Sequence, residues 1–273
     1  LPNGDNIVPS PQQAAVWDAM AEGKKPSSII FVAFNRLIAD ELKKKVPAGC
    51  DAMTMHSMGG KIVRNNFDML PGYKATNQFR TSNIIEELHE GLTGKHASIW
   101  DLKKNEPEFL SATEKLVNLC KLNLCDGSSE SLEDLCSHYS VELNGTQEKV
   151  FQFVPAVLER AKDVTKDRTM DFADMIWLPV VLDLPFKPYD LLLWDEAQDG
   201  NRCQQALAKK CGKRLLLCGD RFQAIYGFAG ADATAMDRME DELSSTKIGV
   251  KVLPLTVTRR CGSEIVKDAR EIV

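Results

Sequence analysis

The run Leu191-Leu192-Leu193-Trp194-Asp195-Glu196-Ala197-Gln198-Asp199 places three carboxylates within five residues at the end of an apolar stretch. Ionised acids are costly to desolvate, so these side chains are expected at the carboxyl edge of a parallel sheet, facing a crevice. A hard cation such as Mg²⁺ is their natural partner. One carboxylate can hold the ion, usually through water, while its neighbour can orient or deprotonate the water that attacks a phosphoryl group. Taken alone, the Asp-Glu pair is equally read as a loop whose acids face solvent. A second run, Cys218-Gly219-Asp220-Arg221-Phe222-Gln223-Ala224-Ile225-Tyr226-Gly227-Phe228, again follows an apolar stretch and is predicted to share that edge. Gln223 has the reach to hydrogen-bond a terminal phosphate or the attacking water. Tyr226 and Phe228, beside Gly227, offer flat faces for stacking unpaired bases, with core packing as the plain alternative.

These residues require strands to carry them, and the pattern supplies a βαβ rhythm. Ser28 to Ala33 is a short continuous apolar run of the kind buried on both faces, and Asn35 to Val46 reads as a helix closed by Pro47. Asp51 to Met55, Tyr189 to Trp194, Arg214 to Cys218 and Lys251 to Thr256 read as further strands. Gln12 to Glu22, Gln204 to Lys210 and the stretch that runs to Val273 read as helices. From about Lys61 to Asp167 the spacing becomes helical over long stretches, as in Ile84-Ile85-Glu86-Glu87-Leu88 and Val150 to Leu158, which predicts a helical insertion.

With a formal net charge of -5, the chain as a whole does not attract polyanions, so a nucleic-acid site must be local. Basic runs at Lys43-Lys44-Lys45, Lys103-Lys104, Lys209-Lys210, Lys213-Arg214 and Arg259-Arg260 read singly as solvated helix faces. Hydrophobic residues at 44% and charged residues at 27% exclude a disordered or low-complexity chain. The eight cysteines include no CxxC pair; Cys120, Cys125, Cys136 and His138 match no standard zinc spacing and read as ordinary thiols. No apolar stretch approaches the ~18 residues of a membrane helix, and Leu1-Pro2-Asn3-Gly4 has no leader character. A soluble, unexported protein is expected, in the cytoplasm, nucleoid or nucleus. The start at Leu1 reads as the beginning of a fragment.

In this order, the motifs resemble the motor core of UvrD/Rep-type superfamily 1 DNA helicases. Gln12, with Pro9 before it, resembles the adenine-reading glutamine of the Q motif. Phe34-Asn35-Arg36 resembles the strand-end motif that grips single-stranded DNA, and Thr54-Met55-His56-Ser57 the TxHS element. Asp171 to Ile176 is similar to the DFxDLL stretch that closes the helical insertion. Asp195 to Asp199 matches a Walker B motif in its DEAQD form, and Gly219 to Ala231 matches GDxxQxIYGWRGA. Leu255 to Cys261 resembles LxxxYRS, whose arginine, here Arg260, reaches the γ-phosphate.

The resemblance covers about Pro9 to Val273 and implies an α/β fold, a RecA-like parallel sheet flanked by helices with an inserted helical subdomain. It implies residues 1–60 and 169–250 as the motor domain, 61–168 as the insertion and 251–273 as the start of a second motor domain. The implied activity is movement along single-stranded DNA driven by hydrolysis of ATP with Mg²⁺, as an ATP-dependent DNA helicase in the intact parent. Asp195 would organise Mg²⁺, Glu196 would activate water, Gln223 and Arg260 would sense the γ-phosphate, and Gln12 would read the base. Phe34, Asn35, Arg36, Thr54, His56, Tyr226 and Phe228 would face the DNA strand. Protein partners and oligomeric state are left open.

The pattern departs from the family in three places. The phosphate loop GxxxxGK[ST] is missing, since Gly23-Lys24-Lys25 is the Gly-Lys directly after the first helix and Lys25 stands where Ser or Thr belongs. Without those amides and that lysine, ATP loses its main anchor. Either a segment between about Gly23 and Pro26 is left out of this chain or the loop is deleted. The first is favoured, because Gln12, Asp195, Glu196, Gln223 and Arg260 form a sensible set only around a triphosphate. Ala229 and Arg259 replace residues that the family commonly keeps as arginine and an aromatic. The motifs of a second motor domain, including its arginine finger, do not follow Arg260. The competing reading is a non-catalytic, helicase-derived module that binds single-stranded DNA or a protein. A metal-dependent nuclease is disfavoured, because the acids fall in one motif instead of converging from several.

Overall fold

The computed structural model describes residues 28–69, 75–223, 234–246 and 249–255, with isolated positions 11, 14, 15, 18, 262, 264 and 267. The chain forms two compact units, residues 27–239 and residues 1–26 with 240–273. The sheet and the helical insertion belong to the first.

In chain order, the elements described in full begin with β1 (Ile29–Ala33), α1 (Arg36–Lys45), β2 (Cys50–Thr54) and α2 (Met55–Phe67). The insertion follows as α3 (Arg80–Thr93), α4 (Ile99–Asn105), α5 (Pro107–Asn123), α6 (Ser129–His138) and α7 (Gln147–Lys162). The chain then returns through α8 (Phe172–Val181), β3 (Leu191–Trp194), α9 (Arg202–Cys211), β4 (Leu215–Leu217) and α10 (Ala235–Ser244). The four strands are all parallel, in the order β2-β1-β3-β4. This is the α/β sheet flanked by helices that the sequence predicts.

Helix α1 packs against β1 and β2, and α2 against β2, which withdraws much of these apolar runs from water. Ile30, Val32, Leu192 and Trp194 are buried, and Ile29 is level with both Cys50 and Leu191. Local chemistry sets the helix ends. Asn35 caps α1 by accepting from the Ile38 amide at 3.0 Å, and Lys43-Lys44-Lys45 place positive charge at its carboxyl end, where the helix dipole favours it. Asn201 and Gln204 form a reciprocal capping box that opens α9. Within the insertion, Phe109 of α5 meets Phe153 of α7 edge to face at 4.9 Å, in a core that includes Leu116, Val117, Val150 and Val157.

Helices α2 and α8 lie very close together. A Cβ at Gly59 would fall inside the van der Waals shell of the Met175 carbonyl oxygen, so glycine here is a packing requirement between backbones. Two expectations are corrected. The strand expected from Tyr189 starts at Leu191; Tyr189 makes only an isolated bridge to Gly212, and its hydroxyl donates to Asp51 at 2.5 Å. Residues 251–255, expected as strand, carry no strand, and Val252 and Leu255 are exposed. Pro254 removes a ladder donor from that run.

Candidate active site and strand-binding face

The strand order divides the carboxyl edge of the sheet. From β1 the chain passes to β2 on one side, and from β3 it passes to β4 on the other. The ends of β1 and β3 therefore flank a switch point, the place where open α/β sheets form a crevice. The β3 and β4 ends carry Asp195, Glu196 and Gln223. The β1 and β2 ends carry Phe34, Asn35, Arg36, Thr54 and His56.

Backbone bonds tie the three inner ends together. The Asp195 amide donates to the Val32 carbonyl at 3.2 Å, the Cys218 amide to Trp194 at 2.8 Å and the Ala197 amide back to Cys218 at 2.9 Å. Directly after β3, Asp195 and Glu196 are exposed and Gln198 is buried. Glu196 adopts φ +55°, a left-handed conformation that costs a non-glycine residue on the order of 1 kcal/mol. Asp68 and Leu124 share such a φ but close helices α2 and α5, whereas Glu196 joins a strand to the short 3₁₀ turn Ala197–Asp199. The strain aims this carboxylate out of the sheet edge.

A polar chain then links the two loops. Gln198 Nε2 donates to Glu196 Oε2 at 2.8 Å, and its Oε1 accepts from the Asp220 amide at 3.2 Å. Asp220 Oδ2 accepts from Gln223 Nε2 at 2.7 Å, and Asp220 Oδ1 from the Phe222 amide at 3.0 Å. Gly219 makes this possible, because a Cβ there would lie 2.5 Å from Gln198 Oε1. The Cys218 thiol is pushed up by burial, with the Asp195 and Glu196 charges adding to it, which places all three groups in one electrostatic neighbourhood. Glu196 and Gln223 thus belong to one hydrogen-bonded assembly at one edge.

At the other half of the edge, Phe34 is 49% exposed directly after β1. The Asn35 side-chain oxygen is taken up as the cap of α1, and Arg36 is exposed beside Asp40 at 3.7 Å. Thr54 caps α2 by accepting from the Ser57 amide at 3.1 Å, while its hydroxyl donates to the Ser57 hydroxyl at 2.9 Å. His56 stacks on Phe172, ring centroids 3.7 Å apart and planes at 17°. Burial pushes the His56 imidazole down to about 4, so it is neutral at physiological pH.

Two participants escaped the sequence reading. Phe172, 64% exposed at the first position of α8, was seen only as part of DFxDLL, and Gln198 only as a letter of DEAQD. The signal for Phe172 was present: Asp171 and Asp174 are spaced as a capping box, which makes the residue after Asp171 the first of a helix. Gln12, Tyr226, Phe228 and Arg260 lie outside the described residues, as do Gly23 to Lys25. Among the described residues no group of three or more His, Cys, Asp and Glu side chains is arranged around a cation. No helix among them is long and apolar enough to cross a membrane.

Comparison with known proteins matches residues 13–244 to the family described as UvrD/REP helicase N-terminal domain. The ATP-dependent DNA helicase PcrA of Bacillus subtilis (strain 168) is 25% identical over 266 residues, covering 91% of this chain and 33% of that protein. The F-box DNA helicase protein 1 of Schizosaccharomyces pombe is 26% identical over 262 residues, covering 91% and 28%. The chain therefore spans about a third of the length of these curated relatives. A family match across most of the chain, on a parallel sheet whose edge carries the DEAQD and GDxxQ loops hydrogen-bonded to each other, shows that the chain belongs to the UvrD/REP helicase N-terminal domain family.

Proposed function

We propose that this chain is the amino-terminal motor portion of a DNA helicase that hydrolyses ATP with Mg²⁺ and moves on single-stranded DNA. The observation that carries the reading is the hydrogen-bonded chain Glu196–Gln198–Asp220–Gln223, which supports reading Glu196 as the water-activating carboxylate and Gln223 as the phosphate-sensing amide of one site. In this reading Asp195 holds the cation. One protein carboxylate, completed by waters and phosphate oxygens, suits Mg²⁺ better than a cation that needs an all-protein cage. Mg²⁺ there supplies neutralisation of charge on the phosphates. Glu196 accepts the proton of the attacking water, Gln198 keeps that carboxylate in place, and Gln223 and Arg260 contact the terminal phosphate, with Gln12 on the base. Phe34, Arg36, Tyr226, Phe228 and the His56–Phe172 stack offer faces and charge to the bases and phosphates of one strand, while Thr54 and Asn35 shape the helix starts beside them.

One observation favours a second reading. The sequence carries no GxxxxGK[ST] loop, so a module that binds single-stranded DNA without hydrolysing ATP fits it as well. ATPase assays on the full-length protein, with and without single-stranded DNA, separate the two. Hydrolysis stimulated by DNA is the expected result. DNA binding without hydrolysis establishes the second reading, and loss of both overturns the assignment of this edge.

A further inference from the structure

Four charged side chains are buried where the insertion meets α8. Lys121 of α5 places Nζ 2.6 Å from Asp171 Oδ2 and 2.8 Å from Asp174 Oδ1. Arg80 of α3 places Nη1 2.7 Å from Asp174 Oδ2, and Thr81 donates its hydroxyl to Asp171 Oδ2 at 2.9 Å. The two aspartates are also the reciprocal capping box of α8: the Asp174 amide donates to Asp171 at 2.7 Å and the Asp171 amide to Asp174 at 2.9 Å. An ordinary helix cap needs none of these cations. Burying such a cluster is weak evidence for stability, since apolar residues of similar size often serve as well or better; what charges add is a defined geometry. The geometry defined here is that of the first turn of α8. That turn begins with Phe172, mostly exposed to solvent on one side and stacked on His56. The close approach of Gly59 to Met175 holds the helix further along, leaving the first turn to the cluster.

We propose that Arg80, Thr81 and Lys121 of the helical insertion are positioning residues for the strand-binding face: by gripping the Asp171–Asp174 capping box they hold Phe172 face to face on His56. The insertion is thereby coupled to the aromatic surface at the β2 end of the sheet. For its functional consequence this rests on the reading that the face takes single-stranded DNA, but the coupling itself is a property of the protein alone.

The test follows the His56 ring by NMR across a pH titration, in parallel with the affinity for a fluorescent oligothymidylate. In the wild type, His56 is expected to titrate at about 4. Phe172→Ala uncovers the ring and is expected to raise that value toward 6.5. Lys121→Met, in protein that keeps its far-UV circular dichroism, is expected to raise it similarly. Both substitutions should weaken oligonucleotide binding by roughly fivefold or more, the lower range for loss of one base–aromatic stack, and the double variant should lose little beyond either alone. Thr81→Val removes one hydroxyl from the same cluster and decides the matter if Lys121→Met does not fold. The proposal is overturned if the folded variants leave His56 titrating as in the wild type. Failure of the wild type to bind the oligonucleotide would instead refute the strand-binding reading, with the His56 titration still deciding the coupling.

Discussion

Asp195 and Glu196, after β3, and Asp171 and Asp174, opening α8, are closely spaced acids at the ends of neighbouring elements, yet their surroundings are opposite. The first pair is exposed, and the Glu196 carboxylate accepts from the Gln198 side-chain amide. The second pair is buried against Lys121 and Arg80. Burial pushes the Asp171 carboxyl up, but the Lys121 ammonium, with the hydrogen bonds from Lys121, the Asp174 amide and Thr81, holds it below the usual carboxylate range. Asp171, neutralised by Lys121 inside the protein, has no charge left over for a substrate's cation. Burial pushes the Asp174 carboxyl up, against the pull of Lys121 and Arg80, while the exposed pair faces solvent. Burial and partners, more than residue type, separate the architectural pair from the pair proposed to do chemistry.

Breaking the buried set should have the largest effect. Lys121→Met strips Asp171 and Asp174 of their shared cation, and urea unfolding should report a loss of about 3–5 kcal/mol, the cost of uncovering a buried charge. The exposed set should respond in the reverse sense. Glu196→Gln keeps an oxygen that accepts from Gln198, so stability should stay within about 0.5 kcal/mol while the turnover number for ATP in the full-length protein falls by roughly 100-fold or more. If both substitutions proved equally destabilising, the contrast between the pairs would be lost.

A smaller effect sharpens the same contrast at the His56–Phe172 stack. The His56 value in the fold, about 4, lies below its ordinary 6.5, so between these two pH values the unfolded chain binds the extra proton. Stability should therefore rise with pH across that window and level off above it. With the partial exposure of the ring taken into account, the gain is on the order of 1–2 kcal/mol. Thermal melts from pH 4 to 7 should show this slope, and His56→Asn should flatten it.

Much of this was legible from residues alone, for identifiable reasons. Strands β1, β3 and β4 are apolar runs without alternation, and a run of that kind announces itself. The helix starting after Asn35 was legible from a cap that reaches only three residues along the chain. Tyr189 reads as strand by composition, but its bonding is decided by Asp51 and Gly212, which are distant in sequence. Residues 251–255 have strand composition too, yet carry no strand.

By itself, then, the sequence determined which residues could carry charge, hydrogen bonds and stacking faces, and that two acidic or amide-bearing loops would each follow a buried strand. Those properties follow from side-chain chemistry and from periodicity over a few residues. Only the tertiary structure decided that Gln198 joins the two loops, that the buried aspartates belong to the helical insertion's cations, and that Phe172 lies on His56. Each of those contacts is made when separate elements pack, and packing depends on shape and burial across the whole fold.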